Sequence, residues 1–205
     1  MVRYLVVLAI LSVECAFGLT GLGMGVHAGR LSNFDYGPLA DSLGRAAALF
    51  GWDKTTFDDR MTTIGVHVDI GFLQVIEIVG DLDYAWNKTG LAPGVDFQLS
   101  DFSYGAGIKK KFSQSIIKPF IGVGVGIHRL AYTFESSYSP ADRMTIAAII
   151  PDNQTRIGYY IAAGLSLEIP LSPLKPYGEY RYNRIATPEE STKFGMLIIG
   201  VTLGM

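Results

Sequence analysis

The three histidines of the sequence, His27, His67 and His128, lie at positions of the same parity within stretches of alternating apolar and polar residues. Because successive side chains of a strand point to opposite faces, the three imidazoles are expected to share one face. His27 and His67 fall on neighbouring predicted strands at comparable heights, with Asp69 and Asp81 nearby. A cluster of His27, His67 and Asp81 could relay protons or bind a metal. The simpler alternative is that the histidines fill a polar interior, and we predict no metal site and no cofactor.

Charged side chains of both signs occupy the same face as the histidines. Moving an ion out of water costs several kcal/mol unless a partner compensates it, so charges on an enclosed face must be paired. The sequence therefore predicts a structural ion network rather than a catalytic one. The residues assigned to this network are Asp69, Glu77, Asp81, Asp83, Lys109, Lys111, Arg156, Glu168, Lys175, Glu179 and Arg181.

A hydrolytic or acyl-transfer enzyme would need a serine beside a histidine. Ser103 and Ser166 come nearest to one in the sequence pattern, but neither lies on a strand predicted to adjoin a histidine-bearing strand. The sequence also contains no Gly-x-Ser-x-Gly motif. We therefore predict no catalytic residue and a protein that is not an enzyme, with a lipid-modifying enzyme as an alternative.

The composition favours strands over helices. The 205 residues include 24 glycines, 11 tyrosines and 11 phenylalanines, and glycine normally makes up only about 7% of a protein. The formal net charge is −2, which is unlike the strongly basic field of proteins that hold nucleic acid. No nucleic-acid partner is expected.

The first 18 residues have the pattern of a secretory signal peptide. Arg3 precedes a short apolar stretch, and the small residues Ala16 and Gly18 precede the expected cleavage point. The apolar stretch is shorter than the roughly 20 residues that a membrane-spanning helix needs. Cleavage after Gly18 would leave one domain, residues 19–205, and would remove the single cysteine, Cys15.

Alternation of apolar and polar residues recurs eight times in the mature chain, which predicts eight strands with one apolar face each. The apolar face is nearly uncharged, whereas the opposite face is rich in glycine and charge. A soluble lipocalin-like barrel would turn its apolar face inward, but a barrel in lipid turns it outward and must close so that no backbone edge is left unpaired. The eight segments are residues 21–29, 62–71, 76–86, 101–112, 121–128, 156–169, 177–183 and 197–205.

The connections between these segments alternate in length. Long polar connections are predicted at residues 30–59, 87–96 and 135–154, a shorter one at 186–192, and tight links at 72–74, 113–115 and 170–173. Short periplasmic turns and long extracellular loops are typical of a transmembrane barrel. Residues 38–50 have the spacing of a short amphipathic helix, and Ser139-Pro140 favours a helix start before residues 144–150.

Aromatic residues on the apolar face lie near the ends of the predicted strands, where a girdle would meet the two membrane surfaces. An ordinary preference of aromatic residues for strands is the alternative. The predicted girdle consists of Tyr84, Trp86, Phe102, Tyr104, Tyr159 and Tyr182 at the outer ends and Phe112 at the inner end.

Three segments, residues 118–126, 175–182 and 197–205, carry a resemblance to a known family. They resemble the eight-stranded outer-membrane barrels of the outer membrane protein A and X type, including the opacity-type surface proteins. The resemblance implies an all-β, antiparallel up-and-down transmembrane barrel in the bacterial outer membrane, surrounded by its lipids. The terminal strand resembles the signal that barrel-assembly machinery binds, except that Met205 stands where phenylalanine is usual.

The expected role is structural and concerns the cell surface. A barrel of eight strands has an interior just wide enough for side chains, so the ion network should plug the lumen. A small pore for ions or solutes remains an alternative because the glycines leave room, and an outer-membrane lipid-modifying enzyme is a second alternative. Loops longer than about 12 to 15 residues are usually functional or disordered, and we predict that the long loops contact a ligand, lipid or neighbouring protein.

Overall fold

The computed structural model describes residues 19–35, 38–50, 60–72, 75–92, 95–112, 115–136, 139, 144–145, 148, 152–186 and 191–204. The predicted signal peptide, residues 1–18, lies outside this range. The elements are β1 (Leu19–Ser32), α1 (Pro38–Phe50), β2 (Met61–Phe72), β3 (Ile76–Ala92), β4 (Val95–Lys111), β5 (Ile117–Ser136), β6 (Gln154–Leu167), β7 (Leu174–Ile185) and β8 (Thr192–Gly204).

The eight strands form one closed antiparallel barrel. Each strand pairs with its neighbour in the sequence, and β1 pairs with β8 to close the sheet. The predicted eight-stranded up-and-down barrel is confirmed. Closure supplies hydrogen-bond partners to the strands that would otherwise be edges, which a hydrocarbon environment requires.

None of the described residues belongs to a helix that is both long enough and apolar enough to cross a membrane.

The outward face of the barrel is apolar and the inward face is polar. Outward side chains such as Val125 and Ile199 expose 61% and 71% of their surface, whereas the inward Arg181 and Glu179 expose 2% and 1%. An exposed apolar surface that surrounds a whole barrel is stable in lipid rather than in water. The assignment of the two faces from the two-residue period is therefore confirmed, and a soluble carrier with an apolar interior does not fit.

The predicted long connection at residues 87–96 is wrong, because β3 continues to Ala92 and β4 begins at Val95. Asn87 is paired with Leu99, and Thr89 with Phe97, in a hairpin that extends beyond the rest of the sheet. β5 follows this hairpin up to Ser136. The side chain of Phe97 is 2% exposed and that of Leu99 is 1% exposed. Burial of these apolar partners stabilises pairing of a segment whose own composition is typical of a loop.

The predicted helix at residues 38–50 is confirmed as α1. Ala46 on α1 is fully buried, whereas Leu49 is 68% exposed. In the loop before β6, Met144, Thr145 and Ala148 are helical. The other residues of the predicted helix at 144–150 lie outside the described part of the chain.

Inward glycines make room for rings from neighbouring strands. A Cβ at Gly124 would overlap the ring of Tyr160, and a Cβ at Gly65 would overlap the ring of His27. Because the interior of an eight-stranded barrel is narrow, large side chains on one strand require small ones opposite. The glycine content thus follows from the way the lumen is filled.

Candidate functional site

Arg181, on β7, is the centre of the ion network in the lumen. Its Nη1 atom lies 2.7 Å from Oδ1 of Asp81 and 3.5 Å from Oδ2 of Asp83, and its Nε atom donates to Glu179. The guanidinium carbon is 4.7 Å from the centre of the Tyr160 ring. A planar guanidinium has five donors in a fixed geometry, which suits simultaneous contact with several carboxylates. One buried cation therefore holds carboxylates from β3 and β7 together.

A second cation, Lys109 of β4, approaches Glu179 from the other side of the lumen. Its Nζ atom is 2.5 Å from Oε2 of Glu179. The same ammonium lies 4.9 Å from the ring centre of Phe120 and 5.2 Å from that of Tyr177. Glu179 is thus shared between two cations, which compensates the cost of burying all three charges.

At the periplasmic end of the lumen a separate group of charges surrounds Glu168, which directly follows the last residue of β6. Lys118 Nζ is 2.5 Å from Oε2 of Glu168, and Lys111 binds both Glu168 and Glu77. Burial alone would raise the pKa of Glu168, but hydrogen bonds from Lys111 and Lys118 outweigh it and lower the pKa from its ordinary value of 4.5 to about 2. Lys118 is a member of the network that the sequence prediction did not include.

The lowered pKa of Glu168 predicts a dependence of stability on acid pH. Its ionised form stabilises the folded state above pH 4.5, and this contribution is lost as the pH falls through about 2. Because the group is partly exposed, we expect at most about 1 kcal/mol. Urea unfolding of the wild type and of Glu168→Gln, measured between pH 7 and pH 2, should converge at the acid end. Parallel curves for the two proteins would contradict the assignment.

The structure brings His27 and His67 together, as the sequence suggested. Their Nδ1 atoms are 3.4 Å apart, and Nε2 of His67 lies 2.8 Å from the hydroxyl of Thr202. The predicted third member, Asp81, is opposite His67 in the β2–β3 register, but its carboxylate binds the guanidinium described above. The carboxylate that contacts His27 is that of Asp83, at 2.5 Å. The predicted cluster of His27, His67 and Asp81 is therefore wrong in one member, because the carboxylate beside the histidine is that of Asp83 and not that of Asp81.

His128 lies apart from the other two histidines and is paired with Asp101, at 2.7 Å. Ser103 is opposite His128 in the β4–β5 register, and Ser166 is on β6, which also pairs with β5. The prediction that neither serine lies on a strand adjoining a histidine strand is thus wrong, because it overlooked β5. Within the described residues no hydrogen bond joins either serine to His128.

The remaining predicted network residues have weaker roles. Asp69 accepts a hydrogen bond from Thr202 at 3.3 Å. Arg156, near the outer end of β6, contacts the carbonyl of Thr155 at 3.4 Å and forms no ion pair with a described carboxylate, so it is not part of the network. Lys175 lines a cavity of about 340 Å³ at the periplasmic end, together with Lys111 and the residues around it.

Among the residues that the structure describes, no group of three or more histidine, cysteine, aspartate and glutamate side chains is arranged to hold a metal ion.

Sequence reasoning missed an apolar layer above the ion network. It lies at the extracellular end, and its side chains come from the outer ends of the strands and from α1. We call this layer the apolar cap. The layer could have been found by extending the two-residue period of each strand past the predicted strand ends. The inward positions of these extensions are apolar, whereas those nearer the middle of the barrel are polar. Its members include Leu31, Phe34, Ala46, Met61, Ala85, Val95, Phe97, Leu99, Leu130, Ile185, Phe194 and Met196.

All seven residues of the predicted girdle point outward. Tyr84 is opposite Phe102 in the β3–β4 register, and the ring of Trp86 stacks on Tyr84 with a centre distance of 5.5 Å. Phe112, at the other end of β4, is 57% exposed. The aromatic side chains thus mark two levels on the apolar surface.

No protein-family model matches the chain, and no curated protein matches it. Among solved structures it is similar to Neisserial surface protein A, with 19% identity, a TM-score of 0.56 and coverage of 89% of this chain and 96% of that one. It is also similar to Ail, the attachment invasion locus protein of Yersinia pestis, with 12% identity, a TM-score of 0.51 and coverage of 90% and 97%. The likeness, together with the closed barrel and its apolar outer face, shows the fold of an eight-stranded integral barrel of the bacterial outer membrane.

Proposed function

We propose that the protein is a non-conducting outer-membrane protein that presents an interaction surface to the exterior on a sealed barrel. The observation that carries the proposal is the filling of the lumen by two successive layers. The ion network around Arg181 occupies its middle, and the apolar cap lies above it. A solute crossing the barrel would have to displace both layers, so the lumen is suited to stabilising the barrel rather than to transport.

The interaction surface consists of α1 and the extracellular extension of β3, β4 and β5. Lys88 on this extension lies 2.9 Å from Asp96 and 3.2 Å from Glu135, which links the three strands on their outward side. Leu49 of α1 is 68% exposed. We infer that α1 contacts a ligand or a neighbouring protein.

The fold is compatible with such a role. The solved structure of Ail that is similar to this chain contains the heparin analogue sucrose octasulfate. The chain itself provides no cluster of extracellular cations on α1, where Arg45 is hydrogen-bonded to Ser42 at 3.2 Å. We therefore assign the surface of α1 to a partner with an apolar patch rather than to a sulfated sugar. We also infer that assembly machinery inserts the barrel through β8.

A small pore is the second candidate, and the cavity of about 340 Å³ at the periplasmic end favours it. The cavity ends at the ion network. Lys109 and Tyr177 line the cavity, and the ammonium of Lys109, which belongs to the network, lies over the ring of Tyr177. We favour the sealed barrel because the apolar cap lies beyond this point. A hydrolytic enzyme of this kind would need a serine hydrogen-bonded to a histidine, and no such pair occurs among the described residues. We therefore propose no enzymatic activity.

The proposed surface can be tested with a photo-crosslinking amino acid at Leu49 in living cells. We expect discrete protein adducts at this position, because Leu49 is exposed on the extracellular helix. The matched control is Val125, which is 61% exposed on the membrane-facing side of β5 and should give lipid adducts. If Leu49 gave no protein adduct in the native cell, or the same adducts as Val125, the proposed role of α1 would be wrong.

A further inference from the structure

Four cationic side chains point outward near the extracellular edge of the apolar surface. They are Arg30 on β1, Arg129 on β5, Arg184 on β7 and Lys193 on β8, and we call them the basic band. Arg129 is opposite Phe102 in the β4–β5 register. The outward parity of these positions is the one that otherwise carries membrane-facing apolar residues. The cations therefore lie on the surface that meets lipid rather than in the lumen.

The basic band coincides with the outer aromatic level. Arg184 is opposite Tyr159 in the β6–β7 register and two residues from Tyr182 on the same face of β7. The rings of Tyr159 and Tyr182 are 49% and 41% exposed. Tyrosine is enriched at the level of lipid headgroups. Arg184 is thus placed where the phosphate groups of outer-leaflet lipids would lie.

No acid in the described part of the chain compensates the four cations. Across the described ranges, none of them has a carboxylate within ion-pair distance, whereas the more distal Lys88 has Asp96 at 2.9 Å. The amide of Asp35 donates to the carbonyl of Lys193, but the two side chains form no ion pair. The positive charge of the band therefore remains available to an external anion.

Arg184 and Lys193 face each other directly in the β7–β8 register, and both side chains point outward. Like charges directly opposite each other destabilise an antiparallel sheet, and the repulsion is stronger beside hydrocarbon than in bulk water. An anion bound between the two cations would attract both of them, so that the repulsion between Arg184 and Lys193 is replaced by a net attraction. A phosphate suits the position, because a guanidinium can bind it through two parallel hydrogen bonds.

We propose that the basic band binds phosphate groups of anionic lipids in the outer leaflet, and that Arg184 and Lys193 form its strongest site. The tyrosines beside them contact the headgroup boundary, while the outward aliphatic side chains below contact the acyl chains. This inference depends on the membrane placement of the barrel and not on the proposed role of α1. It identifies the lipid as a specific ligand rather than as bulk solvent.

The test is native mass spectrometry of the full chain released from bilayers that contain phosphatidylcholine and phosphatidic acid. The wild type should retain phosphatidic acid, and Arg184→Gln/Lys193→Gln should retain it roughly 25-fold more weakly, since each basic residue near an anionic surface contributes about a factor of five. The control Arg45→Gln/Lys88→Gln removes the same charge from α1 and from the extracellular end of β3, beyond the level of the band, and should match the wild type. All three proteins should keep their heat-dependent shift on gels.

Two results would overturn the proposal. The first is equal retention of phosphatidic acid by the wild type and the Arg184/Lys193 variant. The second is displacement of the lipid by inorganic phosphate at comparable concentration, which would indicate a general anion site. A further readout is thermal: phosphatidic acid should raise the unfolding temperature of the wild type but not that of the variant. None of these outcomes depends on the crosslinking result at Leu49.

Discussion

Replacing Arg181 by leucine should lower the free energy of unfolding by about 3 to 5 kcal/mol, the cost of removing one partner from a buried ion pair. The guanidinium contacts Asp81, Asp83 and Glu179. Without it, Glu179 keeps Lys109 and Asp83 keeps His27. Asp81 has no other described cation within ion-pair distance. The penalty therefore comes mainly from Asp81 and from the partial loss at Glu179.

Urea unfolding of the barrel in detergent, followed by gel mobility without boiling, would measure this loss. Arg45→Leu, on the extracellular helix, is the control and should change the midpoint little, since its side chain is exposed. Adding Asp81→Asn to Arg181→Leu should restore much of the stability, because the charge left without a partner is then removed. A midpoint unchanged by Arg181→Leu would show that the network does not stabilise the barrel.

The two faces of the barrel could be predicted because side-chain direction in a strand depends only on parity. Val125 and Gly124, for example, differ by one position and lie on opposite faces. The length of β3 could not be predicted in this way. Its outer end, from Asn87 to Gly90, has the composition of a loop, and it is a strand because Phe97 and Leu99 of β4 are buried opposite. That information resides in another segment.

The sequence predicted which charged residues and histidines lie in the lumen, but it did not predict which of them contact each other. The contact of His27 with Asp83 instead of Asp81 depends on the stagger between β1 and β3, which are separated by β2. The pair of Lys109 and Glu179 joins β4 to β7 across the lumen, and no local pattern encodes such a distance. The apolar cap was missed for a related reason, since its residues lie beyond the segments in which alternation is strongest.

The two-layer lumen leads to an expected result for conductance. The wild type should give no resolvable single-channel steps in planar bilayers. A variant of the ion network, Asp81→Ser/Lys109→Ser/Glu179→Ser/Arg181→Ser, removes two charges of each sign and leaves the apolar cap in place, so it should also be silent.

A variant of the apolar cap, Phe194→Ala/Met196→Ala, leaves the ion network in place and should likewise be silent. Combining both sets of substitutions should produce discrete steps, because only then are both of the layers that fill the lumen reduced. The cap substitutions remove buried apolar groups at a cost of about 2 to 5 kcal/mol each, so the heat-dependent gel shift must first show that each variant folds. Steady steps from the wild type would establish the pore alternative. Steps from the network variant alone would show that the apolar cap does not seal the barrel.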